Sequence, residues 1–111
     1  MPTSPTVTEI SPAELKLQLD SSQPPLVLDV REKWELEAAH LAGTLDIPMG
    51  EIPQRLAELP RDRPIVVMCH AGARSMKVGK FLAQNGFDRV ASLEGGIQAW
   101  ADDVDPSVGT Y

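Results

Sequence analysis

The chain has 111 residues, a net charge of -6 and an aromatic content of 5%. That length suits one domain, and the acidic balance excludes non-specific nucleic-acid binding, which needs a basic surface to displace counterions. No apolar run approaches the roughly 20 residues of a membrane-crossing helix. Met1-Pro-Thr-Ser-Pro-Thr6 lacks the basic start and apolar stretch of a secretory signal, so a cytoplasmic protein is expected. One cysteine permits no internal disulfide, and with two histidines it offers no metal-ligand spacing. No metal and no cofactor are expected.

Residues 1–6 read as a flexible N-terminus, followed by a strand at Val7–Ile10. A helix then spans Pro12–Asp20: Ser11 and Glu14 have capping-box spacing, and Pro12 stands at the first helical position, where its missing N–H costs little. Gln23-Pro-Pro25 stops that helix before a strand at Leu26–Val30. Next come a helix at Glu32–Ala38, a strand at Thr44–Ile47 and a helix at Gly50–Glu58. Pro60 and Pro64 bracket the polar turn Arg61-Asp-Arg63 ahead of a strand at Ile65–Cys69. The helix Arg74–Asn85 carries Val78, Phe81 and Leu82 at helical spacing and ends at Gly86, a C-terminal cap. A strand at Val90–Leu93 and a helix at Gly96–Ala101 complete one domain over residues 7–101, leaving residues 102–111 as a mobile tail. Strand alternating with helix indicates an α/β domain with a mainly parallel sheet. The near-continuous apolar runs at Leu26–Val30 and Ile65–Met68 suit central strands covered on both faces.

The chemistry-bearing segment is Ile65-Val-Val-Met-Cys69-His-Ala-Gly-Ala-Arg-Ser75. Taken alone, a cysteine after four apolar residues reads as an inert core residue. The residues after Cys69 argue against that reading. Ligands of an open parallel sheet bind outside the carboxyl ends of its strands, where Cys69 falls. Ala71, Gly72 and Ala73 let the backbone curl tightly, with Gly72 free to take a positive φ. Successive N–H groups, continued by a helix N-terminus at Arg74 or Ser75, then surround one atom and favour its anionic form. The thiolate is the reactive species, so this arrangement makes Cys69 a nucleophile. His70 and Arg74 are candidate residues of the pocket mouth; a cation at a helix start opposes the dipole, which favours a specific role for Arg74. His40 and Trp100 read as structural.

These motifs resemble the rhodanese family. Cys69-His-Ala-Gly-Ala-Arg-Ser75 is similar to its six-residue active-site loop, and Leu28-Asp-Val-Arg31 with Glu35 to its first signature. Ala39-His-Leu-Ala-Gly43 with Asp46-Ile-Pro48, and Leu93-Glu-Gly-Gly-Ile-Gln-Ala-Trp100, are similar to two further stretches in the right order. Ala39 stands where the family usually has glycine, Asp46 where it has asparagine, and His70 where arginine is frequent. The resemblance implies a five-stranded, mainly parallel sheet with helices on both faces. It implies a sulfurtransferase in which Cys69 takes sulfur from thiosulfate or a persulfide and passes it to cyanide or an external thiol. A thioredoxin-like or sulfur-carrier protein would be such an acceptor. By the same resemblance, His70, Ala71, Gly72, Ala73, Arg74 and Ser75 hold the sulfur and the donor, while Asp29 and Arg31 brace the loops. The tail from Val104 to Tyr111 resembles the ends of stand-alone bacterial members and of rhodanese domains fused to enzymes that activate sulfur-carrier proteins, which implies a persulfide relay for cofactor or tRNA sulfur delivery.

Two other functions compete. A cysteine phosphatase or arsenate reductase places five residues between cysteine and arginine; here four separate Cys69 from Arg74, a tighter ring better matched to one sulfur. A non-catalytic binding module would commonly have lost the cysteine, and this chain retains it.

Overall fold

Short apolar runs, near-continuous in the central strands, build the sheet. The computed structural model describes residues 7–111, so the flexible stretch expected over residues 1–6 lies outside the described residues. Five strands, β1 (Thr8–Ile10), β2 (Leu26–Asp29), β3 (Leu45–Asp46), β4 (Ile65–Met68) and β5 (Val90–Leu93), pair in the order β1-β5-β4-β2-β3. Every pairing is parallel. The helices are α1 (Pro12–Leu19), α2 (Lys33–Ala38), α3 (Ala73–Gln84) and α4 (Gly96–Asp103).

Alternation along β4 assigns its residues to two cores. Ile65, Val67 and then Cys69 join Leu28, Val30 and the α3 residues Val78 and Leu82. Val66 and Met68 join Leu15 of α1 with Ile97 and Trp100 of α4 on the other face. Parity alone therefore sends the Cys69 side chain toward α3.

The helix ends follow the local chemistry expected of them. Ser11 Oγ accepts from the Glu14 N–H while Glu14 Oε1 accepts from the Ser11 N–H. Past α3, Gly86 turns at φ +90°, so that the Gly86 and Phe87 amides donate back to the Ala83 and Leu82 carbonyls.

Two stretches differ from the sequence reading. The helix expected at Gly50–Glu58 is instead a pair of 3-10 turns, Met49–Glu51 and Pro53–Glu58. Pro53 has no N–H to give the Met49 carbonyl, as an α-helix would require; the Ile52 N–H bonds that carbonyl at 3.3 Å instead. The tail is not detached either. Helix α4 continues to Asp103, a 3-10 turn forms at Pro106–Val108, and Val104, Val108 and Tyr111 pack on the α1–α4 core. Among the described residues no helix is long and apolar enough to cross a membrane.

Candidate active site

The chain leaves β4 at Met68 and reverses within four residues to enter α3 at Ala73. Gly72 makes the reversal at φ +114°, a conformation that excludes most side chains. As a result the Gly72 N–H donates to Cys69 Sγ at 3.0 Å and the Ser75 N–H at 3.4 Å, while the thiol faces Ser75 Oγ at 3.6 Å. Of the six loop amides considered from sequence, these two are bonded to the sulfur. Both donors, and the start of a 12-residue helix behind them, favour negative charge on that atom.

The thiol is more enclosed than the sequence suggests: Cys69 is 1% exposed, while Ala71 and Ala73 on the loop's outer side face solvent. The expected open mouth is thus closed by the loop, because Cys69 shares the inward parity of Ile65 and Val67. Its sulfur still differs from a core thiol in having polar donors directed at it.

A second helix holds the loop from behind. The Ile97 and Gln98 amides in the first turn of α4 donate to the Cys69 and His70 carbonyls at 2.9 and 3.1 Å. The approach requires Gly96, at φ +60°; a Cβ there would lie 2.4 Å from each of those two oxygens. This accounts for glycine at position 96, the first residue of α4.

Asp29 and Arg31, expected to brace the loops, are fully buried. All five guanidinium N–H groups of Arg31 have acceptors: Asp29 through Nε and Nη2, the Ala39 carbonyl through Nη2, and the Glu35 carbonyl and Tyr111 hydroxyl through Nη1. Burial would lower the Arg31 pKa, but its hydrogen bonds to Asp29 and Tyr111, together with the charge of Asp29, outweigh it and the group is held above its ordinary value.

Arg74 turns away from the sulfur to grip Glu35, with Nη1 to Oε1 at 2.6 Å and Nη2 to Oε2 at 2.8 Å. Bonded by Arg74 against the opposing effect of burial, Glu35 is held at about 2, and Arg74 is raised in turn by the same bond. The Tyr111 hydroxyl donates to Glu35 Oε2 at 2.5 Å, and its ring stacks on His70 with centroids 4.2 Å apart. Both polar side chains of the loop's rim, His70 and Arg74, are therefore engaged. His40 lies elsewhere, against Asp46 and Thr44 on the surface.

Sequence reasoning missed four contributors: the Glu35 carboxylate as the Arg74 partner, Tyr111, Gly96 as the loop's backstop, and Ser92, whose hydroxyl meets Ser75 Oγ at 2.7 Å. The apolar spacing of Val104, Val108 and Tyr111 was a usable signal for the docked tail, as was the lone polar residue in Val90-Ala-Ser92-Leu93 for the buried hydroxyl.

Known proteins resemble this chain in sequence and fold. The Rhodanese-like domain family model matches residues 11–103. A protein named sulfurtransferase from Allochromatium vinosum is 39% identical over 95 residues, covering 86% of this chain and 89% of its own. The maize adenylyltransferase and sulfurtransferase MOCS3-2 is 30% identical over 96% of this chain, which spans 24% of that longer protein. The crystal structure of a rhodanese-related protein from Thermoplasma volcanium has a TM-score of 0.80 at 34% identity, covering 87% of this chain and 93% of that one. With a match over nearly all of the parallel sheet and its cysteine loop, this chain belongs to the rhodanese-like domain family.

Proposed function

We propose that the chain is a sulfurtransferase in which Cys69 accepts a sulfane sulfur, carries it as a persulfide and yields it to an external acceptor. The observation that carries this reading is the convergence of the Gly72 and Ser75 amides on Cys69 Sγ. Those donors stabilise negative charge on the sulfur before transfer and, after it, on the persulfide.

The Cys69 thiolate attacks the donor's outer sulfur, a new S–S bond forms and the donor's own bond to that sulfur breaks. The leaving group keeps the electron pair, as sulfite from thiosulfate or a thiolate from an organic persulfide. An acceptor thiolate or cyanide then attacks the outer sulfur and Cys69 departs as thiolate, so the step needs no oxidant and ping-pong kinetics are expected. The chain has no second cysteine to resolve the intermediate, so the acceptor is external; a thioredoxin-like or sulfur-carrier protein fits this role. Because Cys69 is enclosed, the loop must part for the first attack. The outer sulfur of the persulfide then stands about 2 Å beyond Sγ, nearer the surface. A mechanism dependent on a free thiol suits the reducing cytoplasm.

A specific observation favours an organic persulfide over thiosulfate as donor, the relay reading. Arg74 is bound bidentately by Glu35 and His70 is stacked on Tyr111, so neither is poised for a sulfonate. The same commitment of Arg74, with the short loop, argues against phosphatase chemistry. Parallel assays with thiosulfate plus cyanide, an organic persulfide plus cyanide, and an aryl phosphate test the reading. Thiocyanate is expected from the sulfur donors, faster from the persulfide; phosphate release without thiocyanate would overturn it.

A further inference from the structure

Behind the nucleophile, on the face of the sheet that meets α3, lies a buried pair of hydroxyls. Ser75 is 0% and Ser92 1% exposed, and their oxygens are 2.7 Å apart. Ser92 shares the inward parity of Val90 on β5, which brings its hydroxyl under the start of α3. The hydrogen bonds around the pair determine where each proton can go. Ser75 Oγ lies 3.0 Å from the Gly72 carbonyl, but that carbonyl already accepts the Met76 N–H at 3.2 Å. The Ser75 proton can therefore leave it without orphaning an acceptor. Among the described residues, the side-chain partner of Ser92 Oγ is Ser75 Oγ.

We infer that Ser92 is a positioning residue for the nucleophile, acting through Ser75. When Cys69 is a neutral thiol, its S–H donates to Ser75 Oγ. When Cys69 is a thiolate or persulfide anion, the Ser75 hydroxyl rotates from the Gly72 carbonyl to the sulfur, adding a third donor to the two amides. The Ser92 hydroxyl holds that state by donating to Ser75 Oγ, which keeps the Ser75 proton from being spent on Ser92 and polarises the Ser75 O–H. The proton that leaves Cys69 on ionisation passes to solvent; within the serine pair no atom is gained or lost, and the Ser75 hydroxyl proton turns about its C–O bond.

The inference rests on the sulfur-transfer reading but is tested without a sulfur donor, by the rate of Cys69 alkylation with iodoacetamide near neutrality. Ser92→Ala removes one hydroxyl and is expected to slow alkylation about fivefold, the size of one weakened bond to a charged group. Ser92→Thr, which restores the hydroxyl, should recover most of the rate. In a Ser75→Ala background, Ser92→Ala should have no further effect, because the relay has already been cut. A wild-type rate in Ser92→Ala, or an equal slowing with Ser75 absent, would overturn the inference. A purely structural role would shift the unfolding midpoint and give additive losses in the double variant. Persulfide formation on wild-type Cys69, followed by mass spectrometry, keeps the two ideas apart: its absence removes the sulfur-transfer reading, whereas its presence with an unaffected Ser92→Ala removes this inference alone.

Discussion

Replacing Glu35 by glutamine tests the electrostatics that hold the loop's arginine. One carboxylate oxygen accepts from Arg74 Nη1 and the Glu32 N–H, the other from Arg74 Nη2 and the Tyr111 hydroxyl. In Glu35→Gln an NH2 must face one of these donors, and the charge opposite Arg74 is lost. The shift of Glu35 from 4.5 to about 2 sets an upper limit of about 3 kcal/mol at neutral pH. Because the Arg74 side chain is 31% exposed, solvent screening reduces the expected cost to about 2 kcal/mol. The sign is fixed by the direction of the shift. A depressed carboxylate stabilises the fold above its ordinary value of 4.5 and loses that contribution as pH falls toward about 2. Urea unfolding of both proteins, from neutrality down through this window, should show wild type ahead at neutral pH and the gap closing on acidification. A gap of constant size across that range would refute the assignment, since it would place the loss in packing rather than in charge.

Three other variants probe separate parts of the site. Ala73→Asp sets a carboxylate at the start of α3, where the helix dipole tolerates it, so stability should hold while like charge near the sulfur slows Cys69 alkylation several-fold; an unchanged rate would contradict the proposed anionic nucleophile. Gly96→Ala forces a Cβ to 2.4 Å from the Cys69 and His70 carbonyls at φ +60°. Clash and strain together should cost about 3 kcal/mol or more in denaturant unfolding, and a wild-type midpoint would mean that α4 does not back the loop as described. Tyr111→Phe keeps the ring against His70 but leaves a buried Arg31 N–H without its acceptor. A loss of about 1–2 kcal/mol is expected, with no loss showing that the tail is not fastened through this hydroxyl.

Features settled by neighbours in the chain were legible before the fold was seen. Ser11 and Glu14 announced the start of α1, Gly72 the tight reversal after β4, and Gly86 the end of α3, each through a backbone requirement that few residues meet. The apolar runs of β2 and β4 likewise marked the centre of the sheet. The stretch after β3 differs from the expected helix at Gly50–Glu58 because the missing N–H of Pro53 favours 3-10 over α geometry there. Contacts between distant residues were less visible. Glu35 and Arg74 lie 39 positions apart, and Tyr111 is 80 from Arg31; nothing in either local segment states which acceptor each donor will find. The enclosure of Cys69 arises from strand parity combined with the position of α3, and parity could be read only once the face covered by α3 was known.

Intact-protein and peptide mass spectrometry after incubation with an organic persulfide or thiosulfate addresses the chemistry directly. Wild-type protein should gain the mass of one sulfur on the peptide that contains Cys69 and lose it again when cyanide or a thiol is added. Cys69→Ser should fold alike and gain nothing, since a hydroxyl does not ionise near neutrality. No added sulfur on the wild-type peptide, or sulfur transfer retained by the serine variant, would contradict the proposal that Cys69 is the sulfur carrier.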